Sequence, residues 1–216
     1  MMKKILLFVL CSLGLTDLMA QSMEWLCHPG KYTNIHYMGN DLFKVKNSTN
    51  KWGIISADGK EVLSIKYDSI TSFVEDRALI LDKSGHRIIG ILDQNGETIK
   101  SFDKEKVFTT NYPFYKEGLL PYKESNGLCG YINVHGIISI KARFYLAAPF
   151  QNGYATVQYA DGDGYFGLIN KSGGSAIISE TKYNFLSSMV DGKLLAVTSS
   201  SRGGALLRIM ALEGNQ

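Results

Sequence analysis

The chain is a succession of short apolar runs broken by polar turns. KEVLSI (60–65), ETIKSF (97–102), IISIKA (137–142) and SAIISE (175–180) are rich in β-branched residues. They are too short for helices, and helical periodicity is weak throughout, so the pattern predicts strands. Between apolar runs lie the tetrads NSTN (47–50), KSGH (83–86), ESNG (124–127), DGDG (161–164) and SSSR (199–202). Asn, Asp, Gly and Ser reach positive φ or hydrogen-bond their own backbone, which is the chemistry of a hairpin connection. Parallel strands would need longer crossovers, so the strands are expected to be antiparallel and the fold class all-β.

The pattern repeats. GIISADG (53–59), GILDQNG (90–96), GYINVHG (130–136) and GLINKSG (167–173) share a leading Gly, two or three apolar residues, a polar turn and a closing Gly. Their leading glycines lie 37, 40 and 37 residues apart. RIMALEG (208–214) is a weaker fifth copy, 41 residues further on, with Arg208 in the glycine position. Self-similarity at such a period marks a repeat architecture. The units run about 42–78, 79–118, 119–154 and 155–193, with half-repeats at 21–41 and 194–216. Tyr32 and Ile35 match Tyr67 and Ile70, so the first half-repeat resembles the end of a unit and the last one a beginning. The expected architecture is about five short antiparallel sheets in a propeller-like ring, closed by the two half-repeats sharing one sheet. The alternative is an open β-meander stack capped by the same halves.

KWGIISADGKEVLSIKYDSITSF (51–73) resembles the WG-repeat (KWG) family of bacterial proteins, whose units read Lys-Trp-Gly, an apolar pair, Asp-x-x-Gly, a strand, Tyr-Asp and Phe. The likeness extends over nearly all of the chain after residue 20. Only the first unit carries Trp-Gly, because Ile89, Cys129, Phe166 and Leu207 replace Trp52 in the others. The resemblance implies a secreted or envelope β-repeat protein and no catalytic residues.

The N-terminus adds a compartment. Lys3 and Lys4 precede the apolar run Ile5–Leu15, and Leu18-Met19-Ala20 offers a small residue for cleavage. This is the layout of a signal peptide (1–20), with Gln21 as the first mature residue. Cys11 follows the bulky Leu10 inside the apolar run, which argues against a lipid attachment site. The expected location is periplasmic, outer-membrane-associated or secreted. The remaining 196 residues carry 21 basic and 19 acidic side chains. A balance near neutrality gives no electrostatic case for nucleic acid, and no later stretch approaches a membrane span. Cys27 and Cys129 remain; the expectation is two buried thiols, with a disulfide as the alternative.

Candidate chemistry is sparse. Trp52 is expected in the core because every equivalent position is apolar, and Gly53 is expected to admit a neighbouring backbone. Asp161 and Asp163 alternate as in a calcium loop but lack the remaining ligands. His28, His36, His86 and His135 show no ligand spacing. There is no Gly-x-Ser-x-Gly elbow and no phosphate-binding glycine loop. No catalytic residue, metal or cofactor is therefore expected. Departures from the repeat remain. Unit two carries an insertion, DKEKVFTTNYPFYKEG (103–118), with Phe108, Tyr112, Phe114 and Tyr115; unit three ends in RFYLAAPFQNGY (143–154), with Tyr145 and Tyr154. Clustered Tyr and Phe suit a partner-binding surface. The functional expectation is a non-catalytic exported binding or scaffold module for an unknown envelope protein or glycan. The alternatives are an inhibitor or immunity protein against an exported toxin, or a hydrolase.

Overall fold

The computed structural model describes residues 30–102, 104–176, 182–199 and 203–211. The expected signal peptide (1–20) and Cys27 lie outside the described residues. Every regular element among the described residues is a strand. The first layer is β1 (Asn34–Gly39), β2 (Leu42–Lys46), β3 (Trp52–Ser56) and β4 (Glu61–Tyr67), paired in chain order. The second is β5 (Ser69–Ile70), β6 (Ala78–Leu81), β7 (Ile88–Leu92) and β8 (Thr98–Ser101). A six-stranded sheet follows, with β9 (Phe108–Thr109), β10 (Leu119–Lys123), β11 (Cys129–Asn133), β12 (Ile138–Ala147), β13 (Tyr154–Tyr159) and β14 (Phe166–Asn170). It folds over on itself at β12, so that β9–β12 form a third layer and β12–β14 a fourth. The fifth is β15 (Phe185–Leu186), β16 (Lys193–Ser199) and β17 (Ala205–Ala211). All pairs are antiparallel. The fold is the expected all-β array, and the described sheets do not close into a ring.

The turns explain the meander. Asn40-Asp41, Glu75-Asp76, Glu117-Gly118, Asn152-Gly153 and Asp191-Gly192 join first to second strand in the five layers, and both residues of each pair have positive φ. Two left-handed residues give the primed turn whose twist matches a hairpin. Third and fourth strands are joined differently. The Oδ1 atoms of Asp93, Asn133 and Asn170 each accept two backbone N–H groups within the following turn, at 2.9–3.1 Å. The glycine three residues on is left-handed in each.

Each inner layer buries both faces. The residue after the leading glycine, Ile54, Ile91, Tyr131 or Leu168, is fully buried and points to the following layer. The residue after that points to the preceding one, as Leu92, Ile132 and Ile169 do. Period-two alternation thus feeds two apolar seams per sheet. Carboxylates add rungs at the turns. Glu75 accepts the N–H groups of Glu117 (2.7 Å) and Gly118 (2.8 Å), and Glu117 accepts that of Gly153 (2.9 Å).

Sequence units and layers are offset by one strand. Only Asp68 separates β4 from β5, and β12 is a single strand serving two layers. A unit therefore supplies strands two to four of one layer and the first strand of the next. The N-terminal half-repeat accordingly enters as β1.

Gly53 sits where β3 and β4 shift register, and a Cβ there would lie 2.6 Å from the Leu63 carbonyl oxygen and 2.7 Å from Ile65 Cα. Backbone cannot yield cheaply. Gly53→Ala is expected to cost about 1–3 kcal/mol or more in urea unfolding. Gly127→Asn, at a left-handed turn with open space around it, should cost clearly less. Equal losses would contradict the close-approach account.

Candidate functional site: the cleft beside the insertion

The insertion of unit two straps the second layer to the third. The Val107 carbonyl accepts the Ile88 N–H (2.8 Å), Thr109 N–H donates to the His86 carbonyl (2.6 Å), and β9 pairs with β10. Beside this strap opens a cleft of about 530 Å³. Lys100 and Phe102 line it from the second layer, Glu105 and Lys106 from the strap, Tyr122 and Glu124 from the third. Lys100 Nζ pairs with Glu105 Oε1 at 3.3 Å and lies over the Phe102 ring at 5.4 Å. The Tyr122 hydroxyl donates to Glu124 Oε1 at 3.3 Å. Burial, reinforced by the Glu124 charge, pushes that hydroxyl up to about 12, so it is a donor at neutral pH. Ile137 and Ile138 stand exposed at the rim. Donors, acceptors and an apolar rim together suit contact with a partner.

The aromatic residues singled out in the sequence disperse. Tyr112 and Phe114 meet edge to face at 6.4 Å and are half-buried, as is Phe108 on β9. Tyr115 is buried in the seam between second and third layers, with its hydroxyl donating to the Asn133 carbonyl at 3.0 Å. It is core and offers no surface. Tyr154 is half-buried against the seam between fourth and fifth layers. Tyr145 is 56% exposed on β12. Trp52 packs against the first seam but is half-buried. Cys129 is a buried thiol whose Sγ lies 3.7 Å from the Tyr145 carbonyl, and burial pushes its pKa up. Asp163 pairs with Lys182 at 2.9 Å within the turn-rich DGDG stretch. Among the described residues no three His, Cys, Asp or Glu side chains gather as a metal would need, and no helix is long and apolar enough to cross a membrane.

The repeat can now be compared with known proteins. The family model described as "WG containing repeat" matches residues 52–83 and 130–162. Those two segments are WG-containing repeats. No curated protein matches the chain. Among solved structures the WG-repeat chain is similar to BamB from Moraxella catarrhalis (12% identity, TM-score 0.41, 84% of this chain and 58% of that one). It is also similar to the computationally designed Ika4 protein (13%, 0.39, 67% and 92%) and to the WD40 β-propeller domain of Doa1 (14%, 0.35, 87% and 66%). The chain thus spans 58% of the BamB chain.

Sequence reasoning on the WG repeats reached the insertion but not the polar groups of the cleft. Lys100, Tyr122 and Glu124 belong to regular strand and turn positions, and only their adjacency to the insertion marks them. A titration tests their environment. The Tyr122 pKa is raised from 10.0, so its contribution to stability is intact below about pH 10 and is lost as pH rises towards 12. Tyr122→Phe should flatten the fall of unfolding free energy across that window. An unchanged slope would mean that Tyr122 is not desolvated.

Proposed function

We propose that this WG-repeat protein is a non-catalytic exported module that binds or scaffolds an envelope protein or glycan. The observation that carries the reading is the cleft beside the insertion, where Lys100, Glu105 and Glu124 adjoin exposed Ile137 and Ile138 on a support of dry seams. A rigid repeat array presents such a face without ordering cost at the moment of binding. Affinity capture of the mature protein from envelope extract, read by mass spectrometry, should recover a specific partner, and Ile137→Glu with Ile138→Glu should abolish recovery. Recovery of no specific partner at any salt concentration would sink the reading.

The two half-repeats close the stack into a five-layered ring in the same proposal. Ile209 and Leu207 hold the positions of Ile54 and Trp52 but are 77% and 67% exposed. Ile35 is 48% exposed where its counterpart Ile70 is 2%. These bare faces belong to the last and first layers, each of which lacks one neighbour. From β4 to β5 and within β12 the fourth strand of a layer runs into the first strand of the next, and by the same rule the residues ahead of β1 would complete the fifth layer. Joining the mature termini, Gln21 and Gln216, through a short linker should preserve folding and raise the thermal midpoint. Loss of folding in the circular form would favour the open stack.

A further inference from the structure

The first layer carries a cation, Lys44, at a position that is uncharged in the other four layers. Lys44 pairs across the strands with Ile54, and the same register puts Leu79 opposite Ile91, Pro121 opposite Tyr131, Thr156 opposite Leu168 and Leu195 opposite Ile209. Lys44 is thus the one cation at a position that elsewhere fills a seam. It is half-buried, burial lowers its pKa, and its Nζ donates to the Ile70 carbonyl at 2.8 Å. Packing alone would favour an apolar residue there.

A second ammonium and an imidazole lie beside it. Directly opposite Lys44 on β1 is His36, and opposite Trp52 on β2 is Lys46. The Nζ atoms of Lys44 and Lys46 lie 4.9 and 5.5 Å from the Trp52 ring centroid, and the His36 ring lies 5.7 Å from it. Among the described residues neither lysine has a carboxylate partner, while Asp68, close by in sequence to Ile70, is held by Lys51 at 2.6 Å. The indole N–H of Trp52 has no acceptor among the described residues. Cations set side by side repel unless an anion joins them.

We infer that Lys44, Lys46, His36 and Trp52 form a binding site for an acidic glycan, with the two ammonium groups taking a carboxylate or sulfate oxygen and the indole lying against the sugar. The inference rests on the proposed binding role and names one ligand class for it. A single half-buried indole beside ammonium donors matches the C–H face and charged group of an acidic sugar, whereas the short aliphatic stems of Asp and Glu side chains offer no comparable C–H face.

Tryptophan emission tests this in the mature protein carrying Trp25→Phe, which leaves Trp52 as the sole tryptophan. Oligogalacturonate and a heparin hexasaccharide at low salt should shift the emission saturably, and neutral maltohexaose should not. Lys44→Leu installs the residue found at position 79, so it should fold with an equal or higher thermal midpoint. That variant and Lys46→Gln should each bind the acidic sugars about tenfold more weakly, the scale of one lost charge-assisted hydrogen bond. No emission change with either acidic sugar, or equal affinity in both variants, would overturn the inference. A matching response to poly-glutamate would overturn it in favour of an acidic protein. Envelope capture through Ile137 and Ile138 is a separate readout, and its failure would sink the cleft reading and not this site.

Discussion

Everything in this molecule depends on seams that form between sheets rather than inside one. A short antiparallel sheet with apolar residues on both faces cannot exist alone in water. Ile54 and its counterparts at 91, 131 and 168 are fully buried only because a further layer stands against each of them. Burying such a side chain contributes about 1.5–3 kcal/mol, and no single layer has enough of them to offset its own chain entropy. Stability is therefore collective, passed from neighbour to neighbour, and it fails at the ends. The exposed apolar residues of β1 and β17 follow from the same rule that builds the interior.

Covalent connection fixes how the layers meet. At two junctions a fourth strand continues into the next layer's first strand, with one residue between them at Asp68 and none in β12, whereas residues 102–107 separate β8 from β9. At those two the chain has little freedom in the angle between successive sheets. The carboxylate of Glu75 on two N–H groups of the next turn, and that of Glu117 on the turn after, hold the same edge of each seam. These bonds are at the surface and each contributes little. Their value is in register, since they tie a turn to the one turn whose backbone donors face it.

The repeat was legible because its marks are local. Glycine at the leading position, an Asx or Ser residue three places before the closing glycine, and alternating apolar residues all act within a single hairpin. β1, with Ile35, stands in the first layer as β5, with Ile70, stands in the second. The aromatic surface was less legible. Tyr115 and Tyr112 are separated by two residues, yet one is core and the other half-exposed, because the strap at 103–118 crosses a seam and alternates irregularly. Trp52 has apolar counterparts, which correctly places it against a seam. Its half-exposure depends on Lys44, Lys46 and His36, which lie on two other strands and come together only through register.

Two kinds of departure from the repeat must be kept apart. The strap departs in length, and packing accounts for much of it: Val107 and Tyr115 fill the second seam, and its carbonyl and amide groups extend the ladder at Ile88 and His86. Lys44 departs in chemistry at a position of normal geometry. Its register partner, strand and seam are those of Leu79, so the fold makes no demand for charge there, and desolvation opposes it. The other layers serve as internal controls that share backbone and register, and against them the cation's structural return is one hydrogen bond across the seam, to the Ile70 carbonyl, of the kind that the neutral Thr156 makes to Ser187. The cleft beside the strap and the cation beside Trp52 are thus marked in different ways, the first by added backbone and the second by changed chemistry on an unchanged one.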